Sequence, residues 1–266
     1  MAVTRRIRGA GCGWGAVAAY VVLAVVVSGV LLGVQERVGL DAAALSLAQF
    51  GPAVAVAVVV VVCGNRIRGV VTAAVPWRVV GADVATLVGV VALLGVLVAM
   101  AAVLGGMTLV GPRAVGEIPF LVFLVFQLVG AAGEEVGWRG FLQPALEFRY
   151  GRLVAVGVTG LIWALWHVRA FTMGPVVAGS FLVAAMGFAV VLGYLANGSF
   201  VQRVVTATIG HWLINVTLYL VMGDDTLGVP QVCYYAGASF LVAALVLSWS
   251  VARDSARQKV LAGSSE

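Results

Sequence analysis

Charged residues are scarce in this chain. They make up 10% of its 266 residues, and 62% of the residues are hydrophobic, whereas soluble domains carry about 25% charged residues. Cysteine is limited to Cys12, Cys63 and Cys233, which are scattered and odd in number. That pattern excludes a disulfide framework and a cysteine-based zinc cluster. These scarcities exclude a soluble domain and indicate an integral membrane protein with no nucleic-acid partner.

Long apolar runs occupy most of the remaining sequence. A membrane-spanning helix needs about 20 predominantly apolar residues. Eight stretches qualify: 13–34, 42–63, 84–105, 118–138, 153–172, 176–196, 204–222 and 232–251. The runs are continuously apolar rather than alternating, which disfavours a membrane β-barrel. We therefore predict an all-α fold, a single domain over 1–266 built as a polytopic bundle of about eight transmembrane helices.

The basic residues predict the orientation of this bundle. Thirteen of the sixteen Lys and Arg residues fall at the N-terminus, at the C-terminus or in every second connection, and the other three are Arg37, Arg113 and Arg169. Because cytoplasmic connections are enriched in Lys and Arg, both termini are predicted to be cytoplasmic. The composition is rich in Ala, Val, Gly and Arg with a single Lys. It is typical of a high-GC bacterium, so we expect a multi-pass protein of the bacterial plasma membrane.

Two adjacent acids interrupt the fourth run. Glu134 and Glu135 lie near the middle of the segment IPFLVFLVFQLVGAAGEEVGWRGFL, and Arg139 follows one turn later. A charge at the centre of a membrane helix costs roughly 3 kcal/mol on insertion scales, and such residues usually mark a functional site. Glu135 and Arg139 have the four-residue spacing of a helical ion pair. Gly133 and Gly137 form a small-xxx-small pattern that lets another helix approach closely.

Both histidines of the chain fall in apolar runs. Glu134 and His167 are almost equally far from the turn near Tyr150 and Gly151, which places both at the same depth, roughly 25 Å from that turn, if the two helices are antiparallel. His211 and Asn215 are four residues apart and share a helix face. We therefore expect the four groups to converge near the middle of the bilayer.

These residues form three motifs in order: Glu134-Glu135-x-x-x-Arg139, Trp163-x-x-x-His167 and His211-x-x-x-Asn215. Together they resemble the motifs of the CPBP intramembrane proteases, which include the type 2 CAAX prenyl endopeptidases and the abortive-infection and bacteriocin-immunity proteins. The resemblance covers about 118–222, the predicted protease core. Trp163 stands where the family often has Phe, an aromatic exchange.

The resemblance implies an intramembrane endopeptidase acting on membrane-embedded or lipidated peptides in the bilayer. Glu134 with His167 would activate a water molecule, and His211 with Asn215 would stabilise the oxyanion. Glu135, Arg139 and Trp163 would support the site. No cofactor is required in this interpretation. The family is also described as metalloproteases, and Glu134, His167 and His211 are the candidate ligands for a zinc ion. Asn215 would be a poor zinc ligand, which favours the metal-free form.

Other interpretations of the same residues remain open. The glutamates could fix helix packing, His167 could be a packed interfacial aromatic, and His211 with Asn215 could join helices by hydrogen bonds. For Gln49 and Gln127, hydrogen bonding within their own surroundings is the simplest expectation. A transporter or proton relay would use the same ionisable residues. Such transporters often contain an internal repeat, and residues 1–117 hold no second copy of the glutamate motif.

Overall fold

The computed structural model describes residues 13–39, 41–64 and 72–263, without the side chains of 254 and 256–263. One cysteine and seven of the basic residues counted above, or their side chains, lie outside this part: Cys12, Arg5, Arg6, Arg8, Arg66, Arg68, Arg257 and Lys259. The described part is helical and contains no β-strand; Val115 and Ile118 form one isolated bridge. The predicted all-α class is confirmed.

Ten α-helices follow one another along the described chain. They are α1 Trp14–Val38, α2 Gly51–Cys63, α3 Trp77–Leu104, α4 Phe120–Gly137, α5 Gln143–Glu147, α6 Arg152–Trp166, α7 Val168–Thr172, α8 Pro175–Leu195, α9 Phe200–Met222 and α10 Val229–Gly263. A 3₁₀ turn, Leu47–Phe50, leads into α2, and a π-helical turn, Trp138–Leu142, joins α4 to α5.

Six helical segments are long and apolar enough to cross a membrane, and two shorter apolar helices accompany them. The shorter ones, Leu47–Cys63 and Arg152–Trp166, fall within the second and fifth predicted spans. The fifth span ends early because α6 stops at His167, where the short helix α7 begins. The chain is therefore a multi-pass membrane protein, and the number of eight crossings stays a prediction.

The connections gather at two ends of the bundle. At the first, here called the arginine-rich end, the segment before α3 contacts the α8–α9 connection: Thr72 donates a hydrogen bond to the Gly198 carbonyl, and Val75 exchanges two with Gln202. At the opposite end the α3–α4 connection contacts the end of α9, where the Tyr219 hydroxyl donates to the Arg113 carbonyl. Arg78, Arg152 and Arg203 lie in the first turns of α3, α6 and α9, near the arginine-rich end. The membrane side on which each end lies stays a prediction.

Glycines on α4 set how closely it approaches α2 and the Leu47–Phe50 turn before it. A Cβ on Gly133 would lie 2.8 Å from the Gln49 carbonyl oxygen, and a Cβ on Gly137 would collide with Pro52 and Tyr20. The predicted close helix contact at Gly133 and Gly137 is confirmed. It brings Gln49 beside Glu134.

Candidate active site

The glutamate pair lies on the last turns of α4, and neither side chain reaches the surface. Glu134 is 2% exposed and Glu135 is 0% exposed. The π-helical turn that follows carries Arg139, which is also fully buried. Such turns are rare and occur frequently at functional sites. Consecutive positions on a helix point about 100° apart, so the two carboxylates meet different neighbours.

Glu134 accepts two hydrogen bonds from side chains on other helical segments. Gln49 Nε2 donates to Oε1 at 3.0 Å, and Trp163 Nε1 donates to Oε2 at 2.7 Å. A carboxylate has about four lone-pair sites, so each oxygen keeps one for a further partner. The two donors fix the orientation of the carboxylate without saturating it.

Glu135 bridges a cation and a histidine. Its Oε1 accepts from Arg139 Nη1 at 2.7 Å and lies 2.9 Å from His211 Nδ1. The guanidinium carbon of Arg139 lies 4.7 Å from the centre of the Trp163 ring. The predicted pair of Glu135 and Arg139 is present, and it extends to His211, which the spacing along the sequence did not predict.

The two histidines flank the Trp163 ring. Ring centres are 5.6 Å apart for Trp163 and His167 and 5.4 Å apart for Trp163 and His211. His167 Nδ1 lies 2.9 Å from the Trp163 carbonyl oxygen. Since that carbonyl and the Glu135 carboxylate are acceptors, both histidines carry a proton on Nδ1. In both rings Nε2 is left for another partner.

Asn215 belongs to the same site through Gln127. Asn215 Nδ2 donates to Gln127 Oε1 at 3.0 Å, and Gln127 Nε2 donates to the Ala44 carbonyl at 2.9 Å. The second bond fixes which way the Gln127 amide faces. The Asn215 amide nitrogen keeps one hydrogen for another acceptor.

A cavity of about 360 Å³ joins these groups. Glu134, His167, His211 and Asn215 all line it, together with Trp163, Gln49 and Gln127. Its volume lies in the usual range for ligand pockets, about 300–1,000 Å³. The structure thus brings together the four predicted catalytic residues, whose roles stay predictions.

For three of these lining residues, the sequence does not predict the hydrogen bonds that they make in the site. Gln49 and Gln127 were expected to satisfy only their own surroundings, yet one holds Glu134 and the other holds Asn215. Trp163 is predicted to support the site as an aromatic residue, and its indole N–H also donates to Glu134, which a Phe ring cannot do. Gln127 precedes Glu134 by seven residues, or two helical turns. That spacing is a signal that the two share a face.

The three candidate zinc ligands are not grouped as a metal centre in the described part of the chain. Among the described residues, no group of three or more His, Cys, Asp and Glu side chains could hold a metal ion. The ligand set Glu134, His167 and His211 therefore gains no support from this geometry.

Two comparisons with known proteins agree with the motifs. A family model described as type II CAAX prenyl endopeptidase Rce1-like matches residues 116–217. A protein named CAAX prenyl protease 2, from Methanococcus maripaludis, is 26% identical over 140 residues, which are 48% of this chain and 49% of that relative. The match thus spans about half the length of each protein. Both findings confirm the resemblance that the three motifs predict, and the family model matches the part of the chain that carries those motifs.

Proposed function

We propose that this chain is an intramembrane endopeptidase in which Glu134 is the general base. The observation that carries the proposal is the buried Glu134 carboxylate, oriented by two donors at the wall of a cavity that two histidines and Asn215 also line. General bases must lie within hydrogen-bond reach of the proton that they remove. Both Glu134 oxygens keep a lone pair for such a proton.

The proposed reaction uses a water molecule held between Glu134 and His167 Nε2. As the water oxygen attacks the carbonyl carbon of the scissile bond, Glu134 takes its proton. In this proposal the His211 ring carries a second proton on Nε2. That N–H and the free Asn215 N–H donate to the negative oxygen, the role that oxyanion-hole donors have in acyl transfer. When the C–N bond breaks, Glu134 passes the proton to the leaving amine.

A transporter or proton relay is supported less well by this geometry. Transport requires access from both ends of the bundle, whereas on α4 and α9 the lining residues run from Glu134 and His211 only toward the end that carries Arg113. The arginine-rich side of the site is filled by Trp138, Arg139 and Gln143, each at most 1% exposed. We therefore favour a hydrolase.

Substitution of Glu134 tests the proposal. Glu134→Gln keeps the size of the side chain and removes the base, so we expect peptide cleavage by the purified protein to fall at least 100-fold, in line with the usual contribution of acid–base catalysis. The matched control is Glu36→Gln, which removes an exposed glutamate near the end of α1. Products would be compared by mass spectrometry of membrane-protein digests. Cleavage persisting in Glu134→Gln would refute the proposed mechanism.

Removal of metal ions distinguishes the metal-free mechanism from a zinc-dependent one. Because the proposed mechanism takes its base and its hydrogen-bond donors from side chains alone, we expect a strong chelator to leave cleavage unchanged and purified protein to contain no stoichiometric zinc. Loss of cleavage on chelation, restored by added zinc, would support the zinc-dependent alternative instead.

A further inference from the structure

The connection between α1 and α2 contacts two parts of the candidate site through residues 44–49, here called the 44–49 segment. At its end, the Gln49 side chain donates to the Glu134 carboxylate. At its start, the Ala44 carbonyl accepts from Gln127, whose side-chain oxygen accepts from Asn215. One short stretch of chain therefore holds both the proposed base and a proposed oxyanion donor.

The bonds at the start of the segment allow only one orientation of the Asn215 amide. A backbone carbonyl can only accept, so Gln127 turns its Nε2 toward Ala44 and its Oε1 toward Asn215. Asn215 must then turn its Nδ2, rather than its Oδ1, toward Gln127. The second N–H of that nitrogen is the proposed oxyanion donor. Its direction is thus set by the backbone at Ala44, which is fully buried.

The end of the segment lies against the glycines of α4. A Cβ on Gly130 would collide with the Gln49 side chain, and a Cβ on Gly133 would lie 2.8 Å from the Gln49 carbonyl oxygen. Both glycines precede Glu134 on the same helix. The Gln49 side chain therefore passes over a surface without side chains to reach the Glu134 carboxylate, and its course depends on where the segment lies.

A glutamine of α1 holds the middle of the 44–49 segment. Gln35 Nε2 donates to the Leu45 carbonyl at 3.0 Å, and Gln35 Oε1 accepts from the Leu47 N–H at 2.7 Å. Gln35 is itself buried. Because buried polar groups are costly when they lack partners, the two bonds fix the segment to α1 midway between Ala44 and Gln49.

A serine of α1 adds a second attachment. Ser28 Oγ donates to the Ala48 carbonyl at 2.9 Å and accepts from Trp166 Nε1 at 3.0 Å. Trp166 directly precedes His167. The segment is therefore also connected, through one hydroxyl group, to the end of α6 that carries the histidine proposed to hold the water.

The two α1 side chains act on the site only through the segment. Neither Ser28 nor Gln35 lines the cavity, whereas Ser46 and Gln49 do. Gln35 bonds to backbone atoms of the segment and to none of the groups assigned to the chemistry. Both α1 residues and the segment lie outside residues 116–217, the part that the family model matches.

We infer that the 44–49 segment is a positioning element of the active site and that Gln35 is the positioning residue that holds it in place. This inference rests on the proposed function, because it concerns how Glu134 and Asn215 are aligned. A misplacement of about 1 Å by a change far from the chemistry can lower a rate about 100-fold. Movement of this segment would misalign the base and the oxyanion donor together.

Substitution of Gln35 tests the inference. Gln35→Met keeps the length of the side chain and removes both bonds to the segment. We expect kcat for peptide cleavage to fall at least about tenfold, with a much smaller change in KM. The matched control is Gln202→Met. Gln202 is also buried and bonds both backbone polar groups of Val75, but it lies at the arginine-rich end and does not line the cavity. This control should lower the melting temperature and leave kcat of the folded protein unchanged.

Hydrogen–deuterium exchange of the same purified proteins gives a readout that does not depend on catalysis. The Leu47 amide loses its acceptor in Gln35→Met. We therefore expect faster exchange in peptides that cover the 44–49 segment, since local opening sets the exchange rate of protected amides. Exchange in this segment should stay as in the unmodified protein in Gln202→Met. Ser28→Ala, a smaller change that removes the bond to Ala48, should have the same effects as Gln35→Met to a lesser extent.

A lower kcat together with faster exchange would support the inference. Unchanged exchange in Gln35→Met, faster exchange with an unchanged kcat, or an equal loss of kcat in Gln202→Met would each overturn it. If Gln35→Met does not fold, the same outcomes are decided with Ser28→Ala. If Glu134→Gln still cleaves peptides, the proposed function fails, whereas the exchange data still show whether Gln35 holds the segment.

Discussion

At the scale of single residues, the glutamate pair divides into two functions. Glu134 faces the cavity and receives only neutral donors, Gln49 and Trp163. Glu135 faces away from it and neutralises Arg139 while contacting His211. The carboxylate of Glu134 is therefore available for chemistry. The carboxylate of Glu135 instead compensates the buried charge of Arg139.

Parallel substitutions should separate these functions. Glu135→Gln leaves Arg139 buried without its counter-charge, and breaking such a pair costs about 3–5 kcal/mol. We expect the apparent melting temperature in detergent to fall by several degrees in Glu135→Gln and to change little in Glu134→Gln. The measurement is thermal unfolding followed by tryptophan fluorescence. Equal melting temperatures for the two variants would contradict the separate functions of Glu134 and Glu135.

Substitution of Trp163 tests whether its indole N–H contributes to catalysis in addition to its aromatic ring. Trp163→Phe keeps an aromatic ring for Arg139 and the histidines but removes one donor to Glu134. Hydrogen bonds to charged groups contribute about 1.5–3 kcal/mol. We therefore expect kcat/KM to fall about ten- to a hundredfold in Trp163→Phe and further in Trp163→Ala, as measured by peptide cleavage. An unchanged rate in Trp163→Phe would reduce Trp163 to a packing residue.

At the scale of helices, the position of Glu134 depends on how closely α4 approaches α2. Gly133 contacts the backbone of Gln49, the residue whose side chain holds Glu134. A backbone atom cannot move aside as a flexible side chain can. The glycines of α4 are therefore part of the geometry of the site.

A pair of glycine substitutions checks this dependence. In Gly133→Ala the new Cβ meets the Gln49 carbonyl oxygen at 2.8 Å, whereas in Gly157→Ala it meets nothing within 4 Å. Overpacking costs about 1–3 kcal/mol, and alanine in place of a helical glycine gains up to about 1 kcal/mol. We expect Gly133→Ala to lower both the melting temperature and the cleavage rate, and Gly157→Ala to lower neither. Loss of activity in both variants would mean that helix flexibility, not close packing, matters.

The sequence predicted what depends on spacing along one helix and missed what depends on contacts between helices. The pair of Glu135 and Arg139 and the close approach at Gly133 follow from positions three or four residues apart. The bonds from Gln49 and Trp163 to Glu134 join residues 85 and 29 positions apart. Two glutamines in apolar runs indicate buried polar groups that need partners, but the partners depend on packing. The short helix α6 was likewise missed, because an apolar run does not show where a helix breaks.

At the scale of the whole molecule, an ionic network holds together the end of the bundle that the cavity does not reach. Glu147 of α5 contacts Arg203 of α9 at 2.6 Å and Arg152 of α6 at 3.8 Å. Arg152 donates a hydrogen bond to the side-chain oxygen of Asn197. The Asn197 amide in turn donates to Asp83 of α3 at 2.8 Å. Four helices thus meet through one set of charges, far from the lining of the cavity.

This network is expected to stabilise the bundle without taking part in catalysis. Glu147→Gln leaves Arg203, which is 7% exposed, without its carboxylate, so we expect a lower melting temperature but an unchanged kcat for the folded fraction. Removing both charges, as in Glu147→Gln with Arg203→Gln, should restore much of the loss, because a buried pair as a whole contributes little net stability. The double-mutant cycle measures this coupling in thermal unfolding, with cleavage measured on the same samples. Additive losses in the double variant would show that the two side chains act separately, and a lower kcat in Glu147→Gln would connect the closed end of the bundle to the chemistry at Glu134.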